Sequence, residues 1–374
     1  MADHPLLTFA RDIAPLIRAE AEQGEQLRHL PPVLVDAFRE AGLFGMCIPA
    51  LYGGSEVDPL TLLEIIEEVS AADGAAGWCV SISSTTSSMS WYLEPVRAKE
   101  IFGRPGEAYG GAFAPNGKAT RADGGWNVNG RWMWGSGTSH CAWVTGGTLT
   151  EDGQFHLMFF PAGDVELLDT WYSSGLRGTG STDFQVTNRF VPDGRSVMPL
   201  RNKAQVETPL AHFPNFSLLA AGLAAVCLGI ARRAVDEFVA LAATKTPQGA
   251  RAKVSEYAPA QLEIARADAL VRSSRAYLRE EMAVAWETTL SGERVSTEQR
   301  ARVRLACYSV AVECARAVDL AYNAGGGSSV FTSSPLQRCF RDIHTATQHQ
   351  MLSDRNLWTY GRLLLGADAD TAML

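Results

Sequence analysis

Three stretches of this chain carry residue types suited to binding a flat, phosphate-bearing molecule. The first is Arg131-Trp132-Met133-Trp134-Gly135-Ser136-Gly137, followed by His140 and Trp143. An indole can cover the face of a flat ring while a small hydroxyl bonds a ring heteroatom. The competing reading is an aromatic-rich β-hairpin, because Trp is common in strands. The second is Gly175-Leu176-Arg177-Gly178-Thr179-Gly180-Ser181-Thr182-Asp183. Its backbone amides and Arg177 could hold a phosphate, or it could simply join two strands. It is not a GxGxxG in a strand–helix context. The third is Gly325-Gly326-Gly327-Ser328-Ser329, leading into Leu336-Gln337-Arg338 and a run from Arg341 to His349. A helix–glycine–helix joint lets backbone approach a ligand closely. Arg341 and Asp342 read as structural ion-pair members.

Other chemistries find no support. His344 and His349 are five residues apart, whereas a metal pair on a helix expects four, and nothing else completes a ligand set; metal is rejected. There is no Walker A loop, no GxSxG elbow and no defensible pair of catalytic acids. The net charge of −8 gives no reason to expect a nucleic-acid partner. The seven cysteines are scattered without a CxxC pair, as in reduced core positions of a cytoplasmic protein. The N-terminus lacks the basic head and apolar run of a signal peptide. The longest apolar stretch, Leu218–Ile230, reads as a buried helix too short to span a membrane. His140, His156 and His212 read as surface or satisfied-core residues. The Ser/Thr run between Ser81 and Ser90 reads the same way, although it could line a pocket.

These motifs need elements to hold them. Residues 5–110 have helical spacing: Leu6, Phe9, Ile13, Leu16 and Ile17, then Val33, Ala37, Phe38 and Ala41 ending before Gly42. Asp58-Pro59 is a helix start, with an acid to cap and a proline that needs no donor. From about Tyr109 to Leu200 the pattern alternates, with hairpin turns predicted at Asp123-Gly124, Asn129-Gly130 and Asp152-Gly153. Strand-like runs lie at 126–128, 131–134, 142–148, 155–160, 165–171 and 184–191, predicting an antiparallel β unit. Beyond Pro214 long helices return. One of them, Leu262–Trp286, is expected to place Leu262, Ile264, Ala265, Ala269, Leu270 and Tyr277 on its apolar face. At 374 residues, two or three packed domains are expected.

Taken in order, the motifs resemble the acyl-CoA dehydrogenase superfamily over nearly the whole chain. Pro49-Ala50-Leu51-Tyr52-Gly53-Gly54 resembles its PxxYGG signature, and Trp134-Gly135-Ser136 the strand that touches the flavin ring. Gly175–Thr179 resembles its GxRG[TS] turn, and Ala221-Gly222 followed by Gly229–Ala234 resembles the opening of its first long C-terminal helix. Gly326-Gly327 resembles the glycine pair that meets a neighbouring subunit's cofactor. The resemblance implies an α+β, mainly α fold. Its parts would be an N-terminal helical domain (1–110), a middle antiparallel β-barrel or sandwich (111–205) and a C-terminal four-helix bundle (206–374).

Two chemistries divide that superfamily. Dehydrogenases and oxidases use a glutamate base on an acyl thioester. The position of that base falls on Ile343 here, with Asp342 next to it. The alternative base position falls near Leu219 and Ala220. Neither matching position carries a carboxylate, which is what this chemistry needs. The two-component flavin monooxygenases are the better match. Trp132–Gly137 with His140 and Trp143 resembles their W-x-[FW]-x-S-G…H-x-x-W run. Thr170-Trp171 before Gly175–Asp183 resembles their TW…GLRGTGSxD, and Pro335–His349 resembles their PLQRxxRDxxTxxxH. This resemblance implies an oxygenase component that takes reduced FAD or FMN from a separate flavin reductase, reacts through a C4a-hydroperoxide and oxygenates a small organic substrate. It implies His349 and Ser136 as catalytic residues. Phe113, Trp134, Ser136, Arg177, Gly326, Gly327 and Thr345 would bind the cofactor, in a homotetramer. Phenol hydroxylases of this branch carry a histidine at a position that falls near Thr86 here, within the Ser/Thr run. This counts against phenol ortho-hydroxylation and leaves room for oxidation at nitrogen or sulfur, or for oxygenation of an aromatic or a CoA- or carrier-bound acid.

Overall fold

A computed structural model describes residues 4–104 and 106–374. Among the described residues five α-helices come first: α1 (Pro5–Leu27), α2 (Pro32–Ala41), α3 (Pro59–Ala72), α4 (Gly74–Ser87) and α5 (Pro95–Phe102). The local rules decide their ends. The Asp58 carboxylate accepts from the amides of Leu60 and Thr61 at the start of α3. Helix α2 stops at Gly42, whose φ of 79° suits glycine. The Ser/Thr run fills the second half of α4 and the turn after it, and its hydroxyls mostly turn to backbone: Ser83 Oγ donates to Phe44 O and Ser84 Oγ to Leu43 O.

The middle of the chain forms one sheet from β1 (Ala108–Ala122), β2 (Gly125–Gly135), β3 (Cys141–Thr150), β4 (Phe155–Pro161), β5 (Glu166–Leu168), β6 (Thr182–Pro192) and β7 (Ser196–Val197). Their order is β5-β6-β2-β1-β3-β4-β7. Every neighbouring pair is antiparallel except β1 and β3, which run parallel. The chain reverses twice between them, into β2 and out again, so β3 returns along the free edge of β1 in the same direction. Asp123-Gly124 and Asp152-Gly153 make the expected turns, with φ of 71° and 76° at the glycines. Asn129-Gly130 does not. It lies inside β2, at an irregularity in the pairing with β6, where Asn129 Oδ1 accepts from Asn188 N at 2.8 Å. Glycine is needed at 130 because a Cβ there would run into the Trp132 ring. The run at 165–171 pairs only at Glu166–Leu168.

The last third is helical: α6 (Pro209–His212), α7 (Asn215–Thr244), α8 (Ala258–Leu290), α9 (Thr297–Gly325), α10 (Pro335–Ala346) and α11 (Arg355–Leu364). Helices α7 to α10 pack together as a four-helix bundle, and α7 also packs on α3 and α4. By length and composition α7 could cross a membrane, but 83% of its most apolar window is buried by the other helices. In α8 the expected apolar face is only partly covered: Ile264, Leu270 and Tyr277 pack against the core, while Ala265 and Ala269 are exposed. Leu262 is 51% exposed, and the buried stripe is Ala267, Val271, Ser274, Leu278, Met282 and Ala285. The partners across the bundle, not the hydropathy of α8 alone, decide which face is covered.

Candidate active site

The site forms where α4, the end of β2, the turn before β6 and the segment after α10 meet. Trp78 on α4 joins them. Its Nε1 donates to Ser136 Oγ at 3.0 Å, and its ring meets the His349 ring at 5.7 Å in an edge-on arrangement. The sequence pattern alone gave Trp78 no role. Its neighbour Gly77 lets α4 approach α3 closely, since a Cβ there would overlap Ser70.

Ser136 is buried, and its hydroxyl lies 2.7 Å from Ser181 Oγ, which lies 2.6 Å from Thr179 Oγ1. Thr179 Oγ1 in turn donates to Leu176 O at 2.8 Å. The backbone ties the same two loops, with Gly137 N donating to Thr179 O at 2.9 Å. Beside this buried cluster Trp134 is 67% exposed and holds a φ of 64°, a costly value for an indole-bearing residue. A strained, exposed indole next to a sequestered hydroxyl is the pairing that a flat ring with a polar edge fits.

His349 follows α10. Its Nδ1 accepts from Met351 N at 3.2 Å, so in the neutral ring the proton sits on Nε2. Burial, and then the Arg304 guanidinium, push its pKa down to about 4. Arg304 is itself buried and donates to Met351 Sδ at 3.0 Å and Asn356 Oδ1 at 2.9 Å. The ring is therefore a neutral donor at Nε2 throughout the physiological range.

The remaining sequence-predicted residues are distributed around this cluster. Phe113 on β1 is half-buried and meets Phe216 edge-on at 6.5 Å between centroids. Arg177 turns toward α1, donating from Nε to Glu25 O at 3.3 Å, and is not brought to Ser136. Thr345 Oγ1 bonds back to Arg341 O on its own helix at 2.9 Å. Gly326 and Gly327 are exposed at the end of α9, where Lys245 Nζ donates to Gly325 O at 2.7 Å. Arg341 and Asp342 are structural, though not paired with each other. Arg341 bridges Glu25 at 2.7 Å and Ser174 O at 2.6 Å, while Asp342 accepts from Leu176 N at 2.6 Å. A cavity of about 210 Å³ lined by Asp73, Gly74, Arg233, Arg338 and Asp342 lies behind that brace, away from Ser136. At the places a dehydrogenase base would occupy, Ile343 and Ala220 are fully buried apolar residues. Asp342 is held by the turn.

Residues 8–94 match the family described as acyl-CoA dehydrogenase, N-terminal domain, and residues 221–354 match its C-terminal domain. An indole-3-acetate monooxygenase of Pseudomonas putida is 30% identical over 93% of this chain and 90% of its own length. The chain belongs to the acyl-CoA dehydrogenase family, in its flavin-dependent monooxygenase branch. The oxygenase subunit HsaA of Rhodococcus jostii, a flavin-dependent monooxygenase, is 27% identical over 90% of this chain and 92% of its own. The crystal structure of a 3-HSA hydroxylase from Rhodococcus sp. RHA1 superposes with a TM-score of 0.92 over 99% of both chains at 26% identity. The chain is thus an oxidoreductase that works with a flavin, FAD or FMN, and the monooxygenase reading prevails over the dehydrogenase one.

Proposed function

We propose that this monooxygenase is an oxygenase component that takes reduced flavin from a separate reductase and oxygenates a small aromatic substrate at the Ser136–Trp78–His349 cluster. The carrying observation is Trp78, which bonds Ser136 through Nε1 and touches His349 with its ring. The flavin supplies the chemistry of oxygen activation. The chain supplies position. Trp134 offers its exposed indole to the ring system, and Ser136 offers a hydroxyl to its edge. His349 Nε2 would offer a neutral N–H donor to the reacting centre. Phe113, Arg177, Thr345 and the Gly326-Gly327 loop are assigned to cofactor binding by the family pattern. The glycine loop would meet the cofactor of a second copy in a homotetramer; a single-chain mass in light scattering would reject that assembly. The family pattern puts the histidine of phenol hydroxylases near Thr86, in a run of serines and threonines here, which favours a non-phenolic aromatic such as an indole acid. The buried, unpaired thiols suit a cytoplasmic location.

The test supplies reduced FMN or FAD and indole-3-acetate to the purified protein under ¹⁸O₂. One labelled oxygen in the product is expected, with none when the flavin is supplied oxidised and no reductant is present. His349→Ala should lower product yield about 100-fold, the scale of a lost hydrogen-bond donor to developing charge, with flavin affinity unchanged. Product formation at the parental rate would remove His349 from the reaction.

A further inference from the structure

The hydroxyl chain behind Ser136 has a direction, and both of its ends are pinned by groups that act one way only. At the near end the Trp78 indole N–H can only donate, so Ser136 Oγ accepts from it. At the far end the Leu176 carbonyl can only accept, so the Thr179 proton is committed to it at 2.8 Å. Leu176 O also receives Thr179 N at 3.1 Å and Trp171 Nε1 at 3.2 Å, and the hydroxyl contact is the shortest of the three. The two contacts between these ends then have one arrangement. With the Thr179 proton spent, Ser181 must donate across its 2.6 Å contact to Thr179. With the Ser181 proton spent, Ser136 must donate across its 2.7 Å contact to Ser181. A hydroxyl has one proton and two lone pairs. The Ser136 proton is therefore spent on Ser181, one lone pair holds Trp78, and one lone pair is left for a ligand.

We propose that Thr179 and Ser181 are positioning residues that draw the Ser136 proton away from the cofactor, so that Ser136 accepts from N5–H of reduced flavin and opposes the lone pair on N5 of oxidised flavin. This rests on the reading that Ser136 meets the flavin edge. The chemistry is that of the two redox states: N5 is an acceptor when the flavin is oxidised and carries a hydrogen when it is reduced. An acceptor facing N5 rewards one state with a hydrogen bond and leaves the other with two lone pairs in contact. The glycine-rich turn acts here through its two hydroxyl side chains, and the carbonyl of Leu176 sets the polarity of the whole chain. An oxygenase that must take up flavin already reduced gains a filter against the spent form.

The experiment measures dissociation constants for reduced flavin, titrated anaerobically, and for oxidised flavin, titrated in air, with FMN and FAD in turn. The parental protein should bind the reduced form at least about tenfold more tightly, the factor corresponding to roughly one net hydrogen bond. Ser181→Ala removes the acceptor of the Ser136 proton, and Thr179→Val releases the Ser181 proton toward Ser136. In both, the Ser136 proton can reach N5, so oxidised flavin should bind more tightly and the preference should fall about tenfold. Thr179→Ser keeps the hydroxyl and should keep the preference. If Thr179→Val does not fold, Ser181→Ala and Thr179→Ser carry the comparison. A parental protein without preference for reduced flavin overturns the proposal. So does a preference unchanged in Ser181→Ala while Ser136→Ala alters it; the contact then stands and its polarity does not. If Ser136→Ala leaves both affinities at parental values, the flavin contact itself is absent and the underlying reading falls with it.

Discussion

The turn at Gly175–Gly180 and the loop at Gly325–Gly327 have the same texture in sequence, yet the fold treats them in opposite ways. The first is clamped. Asp342 takes the Leu176 amide, Arg341 holds Ser174 O, and a Cβ on Gly175 would overlap the Arg341 carbonyl. The second is packed only at Gly325, where a Cβ would overlap Ser329 Oγ, and opens beyond it: Gly326 adopts φ 57° and ψ −144°, and a Cβ on Gly327 would meet nothing within 4 Å. Glycine serves close packing inside one chain in the first case. In the second it leaves backbone free for a ligand or another subunit. Two identical-looking motifs therefore predict opposite sensitivities.

The largest effect should come from Gly175→Ala. The overlap with α10 backbone has no flexible side chain to absorb it, so the turn must shift and take Thr179 and Ser181 with it. We expect a loss of about 2–4 kcal/mol, on the scale of overpacking and buried strain, together with loss of flavin binding. Thermal unfolding and flavin titration measure both; parental stability would show that the clamp is dispensable.

Asp342 gives a pH-dependent handle on the same clamp. Desolvation first, then Asp73, raise its pKa from 3.8 to about 7, with Glu25 acting in the same direction and the Leu176 amide and Arg341 opposing. A folded-state pKa above the unfolded value favours the protonated form. The contribution is present at low pH and is lost as pH rises from about 4 through about 7. Asp342→Asn keeps an acceptor for Leu176 N and cannot ionise. Its stability relative to the parent should therefore improve across that window by on the order of 1 kcal/mol or more. Equal pH profiles of melting temperature for the two proteins would contradict the assignment. Asp73, also raised by burial, leaves some slope in both.

Gly327→Ala should do least to the fold, within about 0.5 kcal/mol as for surface changes. Its effect belongs to assembly or cofactor affinity, and a large drop in melting temperature would erase the contrast between the two glycine segments.

Much of this was legible in the residues themselves. Asp58-Pro59, Gly42 and Asp123-Gly124 act within a few residues of where they stand, and the structure places them as local rules require. Asn129-Gly130 has equally good turn chemistry but lies within β2. There the pairing with β6 and the Trp132 ring outweigh local preference. The ordered motifs and the missing carboxylate at Ile343 pointed to a flavin monooxygenase without any coordinates, because they depend only on residue type and order. Sequence order could not show that Trp78 joins Ser136 to His349, that Arg177 turns away to α1, or that β3 returns parallel to β1. Nor could it show that the Thr179 proton is spent on Leu176 O. Each of these is a contact between distant segments or a choice among several short-range bonds, and the packing of the whole chain decides it. The sequence determined which groups are available for chemistry; only the tertiary structure decided which of them meet and where their protons point.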